Sequence, residues 1–188
     1  MNLIIFGPPG AGKGTQANFI VKKYSLFQLS TGAILRNEIT NNTKLGNEIS
    51  SIISSGTLVS DEIVKKLVEN FISEDKYKNR IIFDGYPRNI TQAKTLTELL
   101  NDHGQKIDLV LKLSVSLETI KKRISERRSL EKRADDNEDI AIKRYKTYEK
   151  STEPVIEYYK KLNLLKVING ERAIDQINKE ISDIIDLI

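Results

Sequence analysis

Short apolar runs bounded by turn residues alternate along this chain with longer stretches whose apolar positions recur at helical spacing. The runs fall at Asn2–Phe6, Leu26–Leu29, Arg80–Phe83, Leu109–Leu113 and Leu164–Ile168, and their length predicts strands. Helical patterns lie at Lys13–Lys23, in several segments from Gly32 to Ser73, and at Asn89–Asn101, Leu117–Arg127, Glu138–Leu162 and Ala173–Leu187. Strands alternating with helices predict an α/β fold, with a central parallel sheet of five strands and helices on both faces. The last helix carries apolar residues at 174, 177, 181, 184, 185 and 188, a stripe suited to docking on the core. Ser116 before Leu117-Glu118 reads as a helix start, as does Asp135-Asp136-Asn137 before Glu138-Asp139. Pro154 is expected to kink or divide the segment around it. No repeat, low-complexity tract or long linker interrupts the pattern.

Composition narrows the class. A length of 188 residues, 39% hydrophobic and 30% charged, suits one soluble globular domain. No cysteine is present, which excludes disulfides, a thiol nucleophile and a thiolate zinc site. The single histidine, His103, excludes a multi-histidine metal site; beside Gly104 it reads as a helix end without a catalytic role. No apolar run approaches the roughly 20 residues that span a bilayer. Leu3 to Phe6 has no basic residue before it and meets Gly-Pro-Pro-Gly at once, unlike a signal peptide, so a cytoplasmic location is expected. The net charge of +4, with a pI of about 9.1, comes from 30 Lys and Arg against 26 Asp and Glu. That excess is small, and no aromatic-rich basic patch accompanies it, so neither nucleic acid nor a membrane is an expected partner.

The strongest chemical signal is Gly7-Pro8-Pro9-Gly10-Ala11-Gly12-Lys13-Gly14-Thr15, which follows the first strand and opens the first helix. Glycines there let backbone amides turn toward phosphates, and the helix N-terminus adds partial positive charge. Lys13 can reach the outer phosphates as a point charge. The general phosphate-loop pattern places Ser or Thr directly after the lysine, whereas here Gly14 intervenes before Thr15. A second signal is Phe83-Asp84-Gly85-Tyr86-Pro87-Arg88-Asn89, again after a strand. Asp84 suits a carboxylate ordering magnesium-bound water, and Arg88 can hold phosphate through its planar fork. Gln92 lies four residues past Arg88, which predicts a shared helical face. Arg123 and Arg127 have the same spacing.

The shifted loop resembles that of the nucleoside monophosphate kinases, and the remaining motifs sharpen the resemblance to the adenylate kinases, from Asn2 to about Gln176. It implies a P-loop three-layer fold with a core of residues 1–29, 60–123 and 136–188, a helical segment at 30–59 that binds the acceptor monophosphate, and a short lid at about 124–135. ATP would meet Gly10, Ala11, Gly12, Lys13, Gly14, Thr15, Arg123, Arg127 and Arg172. AMP would meet Thr31, Arg36, Thr57, Leu58, Val59, Gly85, Tyr86, Pro87, Arg88, Gln92, Arg133 and Arg144. The implied catalytic set is Lys13, Arg88, Arg123, Arg133 and Arg144. Gln92 matches the family position that reads adenine, a task suited to an amide's paired donor and acceptor. Ser60 stands where members usually carry proline, and is expected to cap the following helix instead.

The resemblance implies a monomer that moves the terminal phosphoryl of ATP to AMP reversibly, giving two ADP. It implies magnesium carried with ATP, with Asp84 acting through metal-bound water and no residue ligating the metal directly, and no zinc. The acceptor is already an anionic oxygen, so alignment and charge stabilisation suffice without a general base. A UMP/CMP kinase on the same scaffold is the nearest rival, disfavoured by Thr31 and Gln92, and a basic nucleic-acid-binding P-loop protein is a remote one. Seven of the nine arginines (36, 88, 123, 127, 133, 144, 172) fall at expected nucleotide contacts. Excluding water from the transferring phosphoryl requires closure, as in lid-bearing enzymes generally, the adenylate kinases among them. Residues 30–59 and 124–135 should therefore gain hydrogen-exchange protection when nucleotides bind; unchanged exchange in both would contradict closure.

Overall fold

The computed structural model describes the backbone of residues 1–131 and 138–188, and side chains outside 128–138. The strands are β1 (Leu3–Phe6), β2 (Phe27–Ser30), β3 (Ile81–Asp84), β4 (Leu109–Ser114) and β5 (Leu165–Asn169). They form one parallel sheet in the order β2-β3-β1-β4-β5. The helices among the described residues are α1 (Lys13–Tyr24), α2 (Thr31–Thr40), α3 (Lys44–Ser54), α4 (Asp61–Ile72), α5 (Ile90–Asp102), α6 (Leu117–Glu131), α7 (Glu138–Thr147), α8 (Glu153–Lys161) and α9 (Ile174–Ile185). A 3-10 turn covers Asp75–Tyr77 and a π-helical turn covers Tyr148–Thr152.

The sheet is buried on both faces, which is why its central strands read as apolar runs without alternation. Successive β1 residues serve opposite layers. Ile4 and Phe6 join Leu29, Phe83 and Val110 in a core closed by α2–α5 and α8. Leu3 and Ile5 join Leu111 and Ile168 in a second core closed by Ala17 and Ile20 of α1 and by Ile177, Ile181 and Ile185 of α9. Each such aliphatic side chain contributes about 1.5–3 kcal/mol by leaving water. The terminal stripe thus docks through its middle, at Ile177, Ile181 and Ile185, whereas Ile174 and Ile188 at its ends are exposed. A third, smaller cluster (Ile120, Ile124, Ala141) holds α6 against α7.

Three local expectations are refined. The first strand begins at Leu3 rather than Asn2, because Asn2 is a buried polar peg. Its side chain bonds Gln105 Oε1 (3.2 Å), the Lys106 carbonyl (3.0 Å) and the Ile81 N–H (3.2 Å), tying β1 to β3 and to the segment before β4. The stretch 138–162 is not one helix: α7 passes through the π-helical turn into α8, with Pro154 in the first turn of α8, where its missing N–H is tolerated. Ser60 occupies the N-cap of α4, yet its hydroxyl makes no cap bond, so the expected capping is corrected. Ser30 and Ser116 do cap, bonding the N–H groups of Ala33 and Thr119.

Parallel register sets Asp84 of β3 beside Ile5 of β1, bringing the ends of both strands to one edge of the sheet. The loops leaving those ends face the crevice where ligands of open α/β sheets bind. Helices α2 and α3 overhang it. Their contact is tight: a Cβ on Gly46 would stand 2.1 Å from the Glu38 carbonyl oxygen. Gly46→Ala should force these helices apart, lowering Tm by at least about 2–4 °C, the response to about 1 kcal/mol in a domain of this size. Since the resemblance assigns residues 30–59 to the acceptor monophosphate, AMP affinity should fall while ATP affinity holds; calorimetric titration of each nucleotide checks this.

Candidate active site

The loop between β1 and α1 turns through Gly10 (φ 82°) and Gly12 (φ 92°), backbone conformations that side-chain-bearing residues rarely adopt. Gly12 precedes α1, so Lys13 is the first helical residue. The Lys13 ammonium folds back and donates to the carbonyls of Gly7 (2.7 Å) and Pro8 (3.0 Å). Gly14 and Thr15 stand exposed at the open end of α1, and a Cβ on Gly14 would meet nothing within 4 Å. From α6, Arg123 donates to the Ala11 carbonyl (3.3 Å) and the Gly170 carbonyl (2.9 Å). It therefore staples the phosphate loop to the end of β5.

The second loop leaves β3 at Asp84, whose buried carboxylate accepts from Gln28 Nε2 (2.9 Å) on β2. Gly85 has φ 79°, and a Cβ there would lie 3.0 Å from Arg88 Nη2 and 3.2 Å from Thr31 Oγ1. The Tyr86–Pro87 peptide bond is cis. The Gly85 carbonyl accepts from Arg88 Nε (2.6 Å) and from the Thr31 hydroxyl (3.0 Å). Arg88 does not share a helical face with Gln92, because α5 begins after Asn89, its N-cap. Their relation is more direct: the Arg88 backbone N–H donates to Gln92 Oε1 (2.7 Å). The Thr152 hydroxyl, from the π-helical turn, donates to the Arg88 carbonyl (3.1 Å). Tyr86 is buried beneath the loop and donates to the Gln92 carbonyl (3.2 Å); burial pushes its phenol pKa up, keeping it neutral.

One cleft joins these parts. It runs from Gly7 and Lys13 past Thr31, Arg36, Thr57, Leu58, Val59, Gly85, Pro87, Arg88, Gln92 and Arg144. Leu35, Ile53, Val64, Thr147, Tyr148 and Thr152 also line it, none of them singled out from sequence. Leu35 was within reach of pattern reasoning, one turn beyond Thr31 on α2. Nothing in the sequence marks Thr147, Tyr148 or Thr152, which enter through the π-helical turn. At the cleft rim, Thr57 accepts from Lys143 Nζ (3.4 Å), linking the α3–α4 connection to α7. Arg172 lies apart, exposed, bonded to the Asn169 carbonyl (3.4 Å) and paired with Glu180. Arg133 lies outside the described residues.

Charge is concentrated at the phosphate loop. The Lys13 pKa falls from 10.5 to about 8, chiefly because burial disfavours the ammonium. Asp84 opposes the shift, while Arg88, Arg144 and Arg127 add to it. The change corresponds to about 3 kcal/mol set against the charged form. Three guanidinium groups within electrostatic reach of the half-buried Lys13 ammonium suit a polyanion there.

This fold and cleft define a P-loop nucleotide kinase. The sequence matches the family described as adenylate kinase over residues 5–164. It is 46% identical to an adenylate kinase of Pelagibacter ubique, covering 98% of this chain and 99% of that one. It is 41% identical to an adenylate kinase of Fusobacterium nucleatum over 98% of each chain, and 38% identical to one of Thermobifida fusca over 95% of each. The chain belongs to the adenylate kinase family.

The Lys13 shift has a measurable consequence. The free folded state binds fewer protons than the unfolded chain between about pH 8 and 10.5, so Lys13 makes stability rise as pH climbs through that window. A phosphate bound beside Lys13 would favour the charged form. ATP binding should therefore take up close to one proton near pH 9 and almost none from Lys13 at pH 7. Calorimetry in buffers of different ionisation enthalpy measures this; no uptake at pH 9 would contradict the assignment.

Proposed function

We propose that this chain transfers the terminal phosphoryl of ATP reversibly to AMP, giving two ADP, through the cleft described above. The observation that carries the reading is that a single cleft joins Lys13 of the phosphate loop to Thr31, Arg36, Arg88, Gln92 and Arg144. Two nucleotides entering from opposite ends would meet phosphate to phosphate over that cationic floor.

The work divides by residue. The loop amides from Gly10 to Thr15 and the Lys13 ammonium hold the donor phosphates, with Arg123 and Arg127 from α6 beside them. Thr31, Arg36, Thr57, Leu58, Val59 and Gly85 frame the acceptor, above the Tyr86–Pro87 bend. Arg88 and Arg144 lie between the two and offset the repulsion of in-line approach, with Arg133 assigned the same task. Arg172 covers the donor base. Planar guanidinium forks suit equatorial phosphoryl oxygens better than lysine does. The catalysis is positioning and charge stabilisation, the larger part of phosphoryl transfer.

The residues fit a magnesium ion that arrives with ATP. No cluster of three or more metal-ligating side chains exists among the described residues, and Asp84 is the carboxylate close to Lys13. Asp84 would hold water on the metal. The ion supplies charge neutralisation along the phosphates when bound. Residues 30–59 and the short stretch near 124–135 act as closing segments. The Pelagibacter alignment spans 211 positions against 188 residues here, so that relative carries residues without a counterpart. No described helix is long and apolar enough to cross a membrane. We take the enzyme to work as a cytoplasmic monomer without zinc, on free nucleotides rather than nucleic acid or a membrane.

ADP formation from ATP with AMP, GMP, CMP and UMP tests the reading: AMP should be preferred, and equal or better turnover of UMP or CMP would contradict it. Arg88→Ala should lower kcat by about 10²–10³, as for loss of a preorganised charge donor. Near-wild-type turnover would remove Arg88 from the proposed set.

A further inference from the structure

Asp61, the first residue of α4, has been assigned no role above, yet it is bonded to Gln92, the residue proposed to face the acceptor base. Its Oδ1 accepts from Gln92 Nε2 at 2.6 Å. Both of its oxygens also accept from Asn89 Nδ2, at 3.0 and 3.1 Å. The other end of the Gln92 amide accepts from the Arg88 backbone N–H at 2.7 Å. Gln92 is 4% exposed and lines the acceptor cleft.

These partners differ in kind. An ionised carboxylate only accepts, and a backbone N–H only donates. Rotating the Gln92 amide by half a turn would set its oxygen against the carboxylate and its NH2 against the N–H. Both bonds would become repulsive contacts in a buried place, where unmet polar groups are costly. The amide is therefore held in one of its two orientations. Each end keeps capacity for one further bond, since an amide oxygen has two lone pairs and an amide nitrogen two hydrogens.

Orientation matters because the bases divide into two classes. Adenine and cytosine present a ring nitrogen acceptor beside an exocyclic amine donor. Guanine and uracil present a ring N–H donor beside a carbonyl acceptor. An amide free to rotate pairs with either class, whereas a held amide with its remaining hydrogen and lone pair fixed pairs with one. We propose that Asp61 is a specificity-positioning residue: by holding the Gln92 amide in one orientation, it makes the acceptor cleft select amino bases over keto bases. This rests on the reading that Gln92 meets the acceptor base. Choice of purine over pyrimidine is left to the size of the cleft.

The test is a set of kcat/KM values for AMP, GMP, CMP and UMP at saturating ATP, for the wild type and for Asp61→Asn, Asp61→Ala and Gln92→Ala. Ratios between substrates on one preparation are independent of the fraction folded, so loss of stability does not obscure the result. In both Asp61 variants the GMP:AMP and UMP:AMP ratios should rise about tenfold, equivalent to about 1.4 kcal/mol. The CMP:AMP ratio should stay within about twofold, because both bases belong to the class the held amide accepts. A residue that merely supported the fold would lower all four values together. Keto:amino ratios unchanged in both Asp61 variants, with the ratio disturbed in Gln92→Ala, would overturn the proposal and leave base reading by Gln92 intact. Wild-type ratios in Gln92→Ala would overturn base reading itself, and the role of Asp61 with it.

Discussion

The burial of one ammonium, with like charges added around it, is the constraint to which the rest of the molecule answers. Lys13 sits among Arg88, Arg127 and Arg144, and Asp84 opposes them from the end of β3. In water such a group would be screened; on the floor of a cleft it is repelled and disfavoured. The protein tolerates it because the surrounding backbone is over-determined. The carbonyls of Gly7 and Pro8 hold the ammonium, and the register of β1 with β3 fixes where Asp84 stands. The two apolar layers, closed by helices on either side of the sheet, hold those strand ends in place. A phosphate chain bound there, as proposed, would offset both the burial and the repulsion.

Arg123 and Arg88 also bond the backbone. Arg123 gives its guanidinium to two backbone carbonyls and thereby closes the phosphate loop against the end of β5. Arg88 turns its Nε to the Gly85 carbonyl, while its own N–H and carbonyl are held by Gln92 and Thr152. The loop carrying Arg88 is thus pinned from α5 and from the π-helical turn, and Thr31 reaches the same Gly85 carbonyl from α2. A charged fork held from several sides retains its aim when a polyanion arrives, which is what preorganised stabilisation requires.

The phosphate loop, the Asp84–Arg88 segment and the order of strands and helices were legible because each depends on local chemistry or on periodicity. Glycine at positive φ, proline beside glycine, and apolar runs between turns carry their meaning within a few residues. What escaped depends on chain segments far apart. Thr152 reaches Arg88 across 64 residues, and only because a π-helical turn shifts the helical phase before Pro154. A spacing of 3.6 residues per turn cannot reveal that shift. Asn2 read as a strand residue because its four partners come from β3 and from the approach to β4. Ser60 read as a cap from its position, but its hydroxyl makes no bond to the first turn of α4. Gly46 carried no signal at all, since its need for a bare Cα comes from the neighbouring helix.

On the proposed reading, the half-buried Lys13 ammonium, disfavoured chiefly by burial, receives nucleotide phosphates. Direct titration of the Lys13 side-chain nitrogen by heteronuclear NMR, in the free protein and with nucleotide bound, tests it most closely. A pKa near 8 is predicted in the free protein, with a return toward 10.5 or above when phosphates are bound. A free-protein value already near 10.5, unmoved by nucleotide, would contradict it.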